Sequence, residues 1–264
     1  MLTENFIFAF SLTILTGLAT GVGSLIAFIL KRDNFKLLSF MLGFSAGIMI
    51  YVALLALLPE AQKLISNTHS LTDGIFILTG SFVLGIILAI IIDKIIPEPD
   101  TNNSNFKNSL LPHNTKLLKT GIFIAIVLAI HNFPEGISTF ISALTEESVG
   151  YSVAFAMALH NIPEGIAISI PIFYATGNRK KAFFYSFLSG LVEPIGALIG
   201  YFILLPFINN GLIGGIFAFI AGIMSYISLA TLIPLAQKVK EGNNTLIGLS
   251  LGFSFILIGF YFLF

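Results

Sequence analysis

Residues 158–166 read ALHNIPEGI, and residues 129–137 read AIHNFPEGI. Each puts a histidine and a glutamate four positions apart inside a long apolar stretch. The flanking runs, Thr120 to Ile141 and Gly150 to Thr176, are each long enough, at ~1.5 Å of rise per residue, to cross ~30 Å of hydrocarbon. Both therefore read as membrane-spanning helices that carry ionisable groups where such groups are most expensive. That reading decides the fold.

The rest of the chain agrees with it. Of 264 residues, 56% are apolar and 10% charged, and the mean hydropathy is +0.97. Soluble domains do not reach such values, so an all-α, polytopic membrane protein in a lipid bilayer is expected. The 20-residue rule predicts eight transmembrane helices at about 5–30, 37–59, 74–92, 120–141, 150–176, 182–207, 212–234 and 242–264, forming a single transmembrane domain over 1–264. The first run is too long for the apolar region of a cleavable signal and is expected to be a span. Residues 93–119, rich in Asn, Pro and Ser, read as one long mobile loop.

Charge sets the orientation. Lys31, Arg32, Lys36, Lys94, Lys107, Lys116, Lys119, Arg179, Lys180, Lys181, Lys238 and Lys240 fall on one side of this arrangement, and only Lys63 on the other. By the positive-inside rule the twelve face the cytoplasm, so loop 93–119 is cytoplasmic and the N- and C-termini lie outside. An internal repeat is also visible: FSAGIMIYVALLALLPEAQK (44–63) matches FIAGIMSYISLATLIPLAQK (219–238) at twelve of twenty positions. Transporters commonly contain repeats and bind substrate at mid-membrane. Zero net charge, with no basic cluster among aromatics, excludes a nucleic-acid surface.

The intramembrane carboxylates Glu135, Glu164 and Glu193 have no basic residue at their depth. Lys119 precedes His131, and Lys181 precedes Glu193, by twelve residues or ~18 Å of helix. An uncompensated charge there costs at least ~2.5 kcal/mol, so these groups are either protonated or share a cation. His131 with Glu135, and His160 with Glu164, project from one face of their helices. Opposed, the two faces offer two imidazoles and two carboxylates, a complete ligand set for Zn(II) and equally for Fe(II), Mn(II), Co(II) or Cd(II). With no cysteine in the chain, a thiolate site is excluded. Asn132 and Asn161 point roughly 100° away from their neighbouring histidines and could build a second cation position with Glu193, sharing Glu135 and Glu164 as bridges. Pro134 and Pro163 remove backbone donors and are expected to kink their helices. Protons compete for all these ligands, so metal affinity should fall with pH. His69 and His113 in loops, Glu60 closing the second span, and Glu146 and Glu147 in the short outer loop carry weaker signals. Met49 and Met224 read as core packing.

The motifs His131-Asn132-Phe133-Pro134-Glu135-Gly136, His160-Asn161-Ile162-Pro163-Glu164-Gly165 and Gly190-Leu191-Val192-Glu193-Pro194 resemble those of the ZIP (Zrt/Irt-like) divalent-metal transporters. Eight spans, outside termini and a long cytoplasmic loop between the third and fourth spans resemble that family too. The resemblance implies a ZIP-type helix bundle importing zinc and similar divalent cations across the cytoplasmic membrane, with no prosthetic group. It also implies a binuclear centre of His131, Glu135, His160 and Glu164 beside Asn132, Asn161 and Glu193. An elevator movement of the first, fourth, fifth and sixth spans against the other four, and a homodimer, belong to the same implication. Two departures stand out. The loop has only His113 where many members carry a His-rich tract, and Asn161 stands where some have Asp. A different class, an intramembrane metalloenzyme using the same ligands to activate water, is the alternative, although the chain contains no HExxH string.

Overall fold

The computed structural model describes residues 2–29, 34–95, 115–207, 209–239 and 242–263. His113 lies outside the described residues. Among those described, the secondary structure is helical throughout, with no strand. The helices are α1 (Leu2–Ser24), α2 (Ile26–Ile29), α3 (Phe35–Tyr51), α4 (Leu58–Ser66), α5 (Leu71–Ile95), α6 (Thr115–Thr145), α7 (Glu147–Thr176), α8 (Arg179–Gly190), α9 (Val192–Ile199), α10 (Asn210–Tyr226), α11 (Ile233–Val239) and α12 (Asn244–Leu263). Seven helical stretches are long and apolar enough to cross a membrane: Asn5–Ile29, Phe35–Ser66, Leu71–Ile95, Ile124–Thr145, Glu147–Thr176, Arg179–Ile203 and Asn210–Lys238. At 20 residues, α12 is a further, shorter apolar helix.

Local chemistry sets the ends. The side chains of Asn34, Asn178 and Asn209 accept from the backbone N–H of Leu37, Lys181 and Leu212, capping α3, α8 and α10. Gly177 ends α7 at φ 67°, where its N–H donates to the Phe173 carbonyl, a left-handed position that suits glycine. Only Glu146 separates α6 from α7, so the two motif-bearing helices form a tight antiparallel hairpin.

Prolines behave less simply than the sequence suggests. The second and seventh spans, expected to end at 59 and 234, continue as helix past Pro59 and Pro234 to Ser66 and Val239. The reason is a widened turn just ahead of each. Val52–Leu57 and Ile227–Leu232 are π-helical, and the N–H groups of Leu58 and Ile233 donate five residues back, to Ala53 and Ser228. A third π segment, Gly200–Leu204, precedes Pro206 in the same way. The longer register removes the clash between a proline ring and the carbonyl four residues back. In the aligned repeat the first two π segments occupy equivalent positions. Pro134, Pro163 and Pro171 lie inside α6 and α7, which run unbroken. The sixth predicted span is instead interrupted at Leu191, where α8 hands over to α9.

Packing divides the helices into two groups. In the first, α1, α6, α7, α8 and α9 approach at backbone distance through glycines. A Cβ on Gly17 would strike the Gly190 carbonyl, one on Gly23 the Ile162 carbonyl, one on Gly136 the Glu193 carbonyl, one on Gly165 the Thr20 carbonyl, and one on Gly196 the Phe133 carbonyl. In the second, α3 meets α12 through Gly43, Gly47, Gly248 and Gly252, and α5 meets α10 through Gly85 and Gly222. None of these glycine contacts joins the groups. Between them α3 packs against α7, and α10 against α6. Tyr174 of α7 reaches across to donate to the Asn34 carbonyl at 2.8 Å. Large apolar side chains such as Phe76, Leu84 and Phe202 point outward, as expected of a lipid-facing surface.

Gly222→Ala, which drives a methyl into the Phe82 carbonyl, is expected to lower the thermal unfolding midpoint in detergent by ~2–10 °C. Gly80→Ala, with nothing within 4 Å, should leave it unchanged or raise it, because alanine is the better helix former.

Candidate metal centre

The i, i+4 spacing in α6 and α7 does what the sequence requires. His131, Glu135, His160 and Glu164 are fully buried and face one another across the hairpin. Gly150 against Ala143, and Gly121 against Ile172, hold the two helices close towards the two ends of the hairpin. His131 Nε2 lies 3.1 Å from Glu135 Oε1 and 3.2 Å from Glu164 Oε1. His160 Nε2 lies 3.2 Å from Glu135 Oε1 and 3.1 Å from Glu164 Oε1. The two Nε2 atoms are 3.4 Å apart.

These separations have a simple reading. Ligands held at ~2.0–2.1 Å from a tetrahedral zinc lie about 3.3 Å from one another. The five distances bracket that edge length. Despite this proximity, none of the four carboxylate oxygens of Glu135 and Glu164 has an aligned hydrogen-bond donor among the described residues. The two Oε1 atoms and the two Nε2 atoms converge on a common point. Buried acceptors are nearly always satisfied, so such a cluster calls for a cation. Neither Nδ1 has a partner among the described residues, which departs from the usual pattern in which a second group fixes a ligating imidazole.

Beside this cluster the remaining predicted residues form a hydrogen-bonded group. Glu193, in the first turn of α9, accepts from Thr16 Oγ1 at 2.6 Å and from Asn161 Nδ2 at 2.5 Å. Asn161 Nδ2 also donates to the Thr16 carbonyl at 2.7 Å. Asn132 turns towards α8, where its Nδ2 donates to the Ser189 carbonyl at 3.2 Å. Asn161 and Glu193 are thus brought together, while Asn132 has a separate partner. The Oδ1 atoms of both asparagines and the Oε2 atoms of Glu135 and Glu164 remain unpartnered acceptors. Thr16 and Ser189 were missed by sequence reasoning. A hydroxyl in a charge-free span carries no signal of its own, and only the fold brings α1 to α9.

The weaker candidates separate from the centre. Glu60 pairs with Lys63 on the surface. His69 is exposed and bonded to Thr68. Glu146 accepts from Ser148. Met49 and Met224 are buried in the apolar core, as the sequence suggested.

Comparison with known proteins gives a consistent picture. The profile of a family described as ZIP Zinc transporter matches residues 97–263. The chain is 49% identical over 261 residues to "Zinc transporter ZupT" of Lysinibacillus sphaericus, covering 96% of this chain and 97% of that one. It is 48% identical over 262 residues to the protein of the same name from Oceanobacillus iheyensis, with 97% of each covered. For the Streptococcus mutans protein, also "Zinc transporter ZupT", the values are 47% over 252 residues, with 95% and 96% covered.

Glu164→Gln and His131→Ala should each weaken equilibrium zinc binding by about 100-fold or more, measured by competition with a chromophoric chelator. Thr16→Val, which touches Glu193 and none of the four converging ligands, should leave that affinity within about threefold.

Proposed function

We propose, from the premise that this chain belongs to the ZIP zinc transporter family, that it carries Zn(II) across the cytoplasmic membrane into the cell. The protein is a multi-pass membrane protein, and its relatives are named as transporters, so the metalloenzyme alternative is set aside. The observation that carries the proposal is the buried convergence of His131, Glu135, His160 and Glu164 at tetrahedral-edge spacing, with no lysine or arginine among the described residues paired to it. Two imidazoles and two carboxylates form a borderline set, so Fe(II), Mn(II), Co(II) and Cd(II) are proposed as further cargo. Asn132, Asn161 and Glu193 supply a second position beside the first, which makes the centre binuclear.

The transport domain spans 1–264 in eight crossings, with both termini outside and loop 93–119 in the cytoplasm, in keeping with the distribution of Lys and Arg. The division of the glycine contacts supports an elevator. The group that holds the metal centre is locked internally at backbone distance, whereas its contact with the second group lacks such interlocks and can slide. Small-residue contacts resist displacement because every shift brings carbonyl against carbonyl, while side-chain contacts can exchange. A homodimer is part of the same reading, as is release of the metal on the Lys-rich side.

Uptake of radioactive zinc into proteoliposomes, compared with a Glu164→Ala variant of equal abundance, tests the proposal. Saturable flux that the variant loses by about 100-fold is expected, with competing metals then ranking the cargo. No flux from the parent protein under several metals and pH gradients would sink it.

A further inference from the structure

A cavity of about 740 Å³ lies beyond the metal centre, between the two helix groups. One wall is the π segment with the start of α4, from Val52 to Lys63, joined by Phe217 of α10. The other comes from α6 and α7. Glu60 and Glu146 stand at its rim, and its floor includes Ser142, Met157 and Phe217, all buried. Met157 is three residues from the ligand His160. On the α6 side, Ser142 lies seven residues from the ligand Glu135, and Ser138 falls between them.

The α6 positions form one file. His131, Glu135, Ser138 and Ser142 follow at steps of four, three and four, which at 100° per residue keeps all four within an arc of about 60°. The file begins at two of the converging ligands and ends at Ser142 in the cavity lining. Ser138 is its one member lying between the cavity lining and those ligands.

The hydroxyls of Thr20, Ser45, Ser138, Thr139 and Ser169 are buried without a hydrogen-bond partner among the described residues, and of these Ser138 alone lies on the file. A serine or threonine in an apolar helix usually turns its hydroxyl back onto a carbonyl one turn earlier. Thr13, Thr145, Ser225 and Ser228 do so at 2.7–2.9 Å. Ser138 is 1% exposed, and its Oγ has no hydrogen-bond partner among the described residues. A buried hydroxyl left without a partner is destabilising, so its presence asks for a transient one.

We propose that Ser138 is a substrate-contacting residue on the access path, supplying a neutral oxygen to the divalent cation as it passes from the cavity to Glu135. The inference rests on the transport reading above. A cation leaving the cavity must shed water oxygens before the four protein ligands are all in reach. A hydroxyl can replace one of them without adding charge. A carboxylate at the same point would hold the ion, and an apolar side chain would demand the whole loss in one step. Because the hydroxyl acts on the way in, it governs the rate of access while equilibrium binding at the four ligands is untouched.

Ser138→Thr and Ser138→Val separate hydroxyl from shape, since the two replacements are nearly isosteric. In zinc uptake by proteoliposomes, the threonine variant should match the parent and the valine variant should lose about tenfold in kcat/KM. Equilibrium zinc affinity and Tm should be equal for both. Should the branched side chains impair folding, Ser138→Ala against the parent carries the same comparison. Equal uptake by the valine and threonine variants, or by the alanine variant and the parent, would overturn the inference. So would a valine variant whose zinc affinity falls as far as its uptake, because Ser138 would then belong to the centre itself. Failure of the parent to move zinc is a different outcome, which overturns the transport reading and this inference with it.

Discussion

Four ligand atoms from two helices must meet within one tetrahedron in the middle of an apolar bundle, and most of the architecture answers to that demand. Carboxylates at this depth cannot be left to water, and among the described residues only histidines pair with Glu135 and Glu164. Only a cation, or protons in its absence, balances the group. The helices that present it must therefore be held to within a fraction of an ångström. That precision comes from the glycine contacts: α6 onto α9 at Gly136, α7 onto α1 at Gly165, and α1 onto α8 at Gly17 and Gly190. The PEG triplets thus serve two ends at once. The glutamate faces the metal, and the next residue, about 100° round the helix, seats the neighbouring backbone.

Much of the site was legible because helical spacing is rigid. Histidine and glutamate at i and i+4 must share a face whatever the rest of the chain does, and two consecutive spans joined by a short loop must be antiparallel neighbours. The helical ends at Asn34, Asn178, Gly177 and Asn209 were marked by ordinary capping residues. What escaped was whatever depended on contacts between distant parts of the chain. Thr16 gains its role only because α1 packs beside α9, 177 positions along the sequence. The interruption at Leu191, just ahead of Glu193, falls between Gly190 and Pro194, but glycine and proline also stand inside the unbroken α6 and α7, so the pair alone did not mark a break.

Proline was the most misleading residue type, for an instructive reason. Taken locally, Pro59 and Pro234 end a helix. In a bilayer, ending a helix exposes carbonyls to hydrocarbon, so widening one turn is the better solution. The sequence holds both outcomes, and the surroundings select between them. One of these widened turns, Val52–Leu57, also lines the cavity between the two helix groups, so a local accommodation shapes that cavity's wall.

The confinement of glycine contacts within each group has a consequence for how the chain is made. The first helix leaves the ribosome early, but Asn161, to which it offers the Thr16 carbonyl, is 145 residues further on. At 5–20 residues per second, α1 must wait on the order of ten seconds in the membrane before α7 exists to receive it. During that interval α3, α4 and α5 are synthesised, and they belong to the other group. A helix that must idle beside the wrong neighbours benefits from self-sufficiency, and α1 has it: Thr13, Thr16 and Ser24 each bond to a carbonyl within their own helix. These three hydroxyls are satisfied within the helix until the right surface arrives, which favours late and correct assembly over early mispairing.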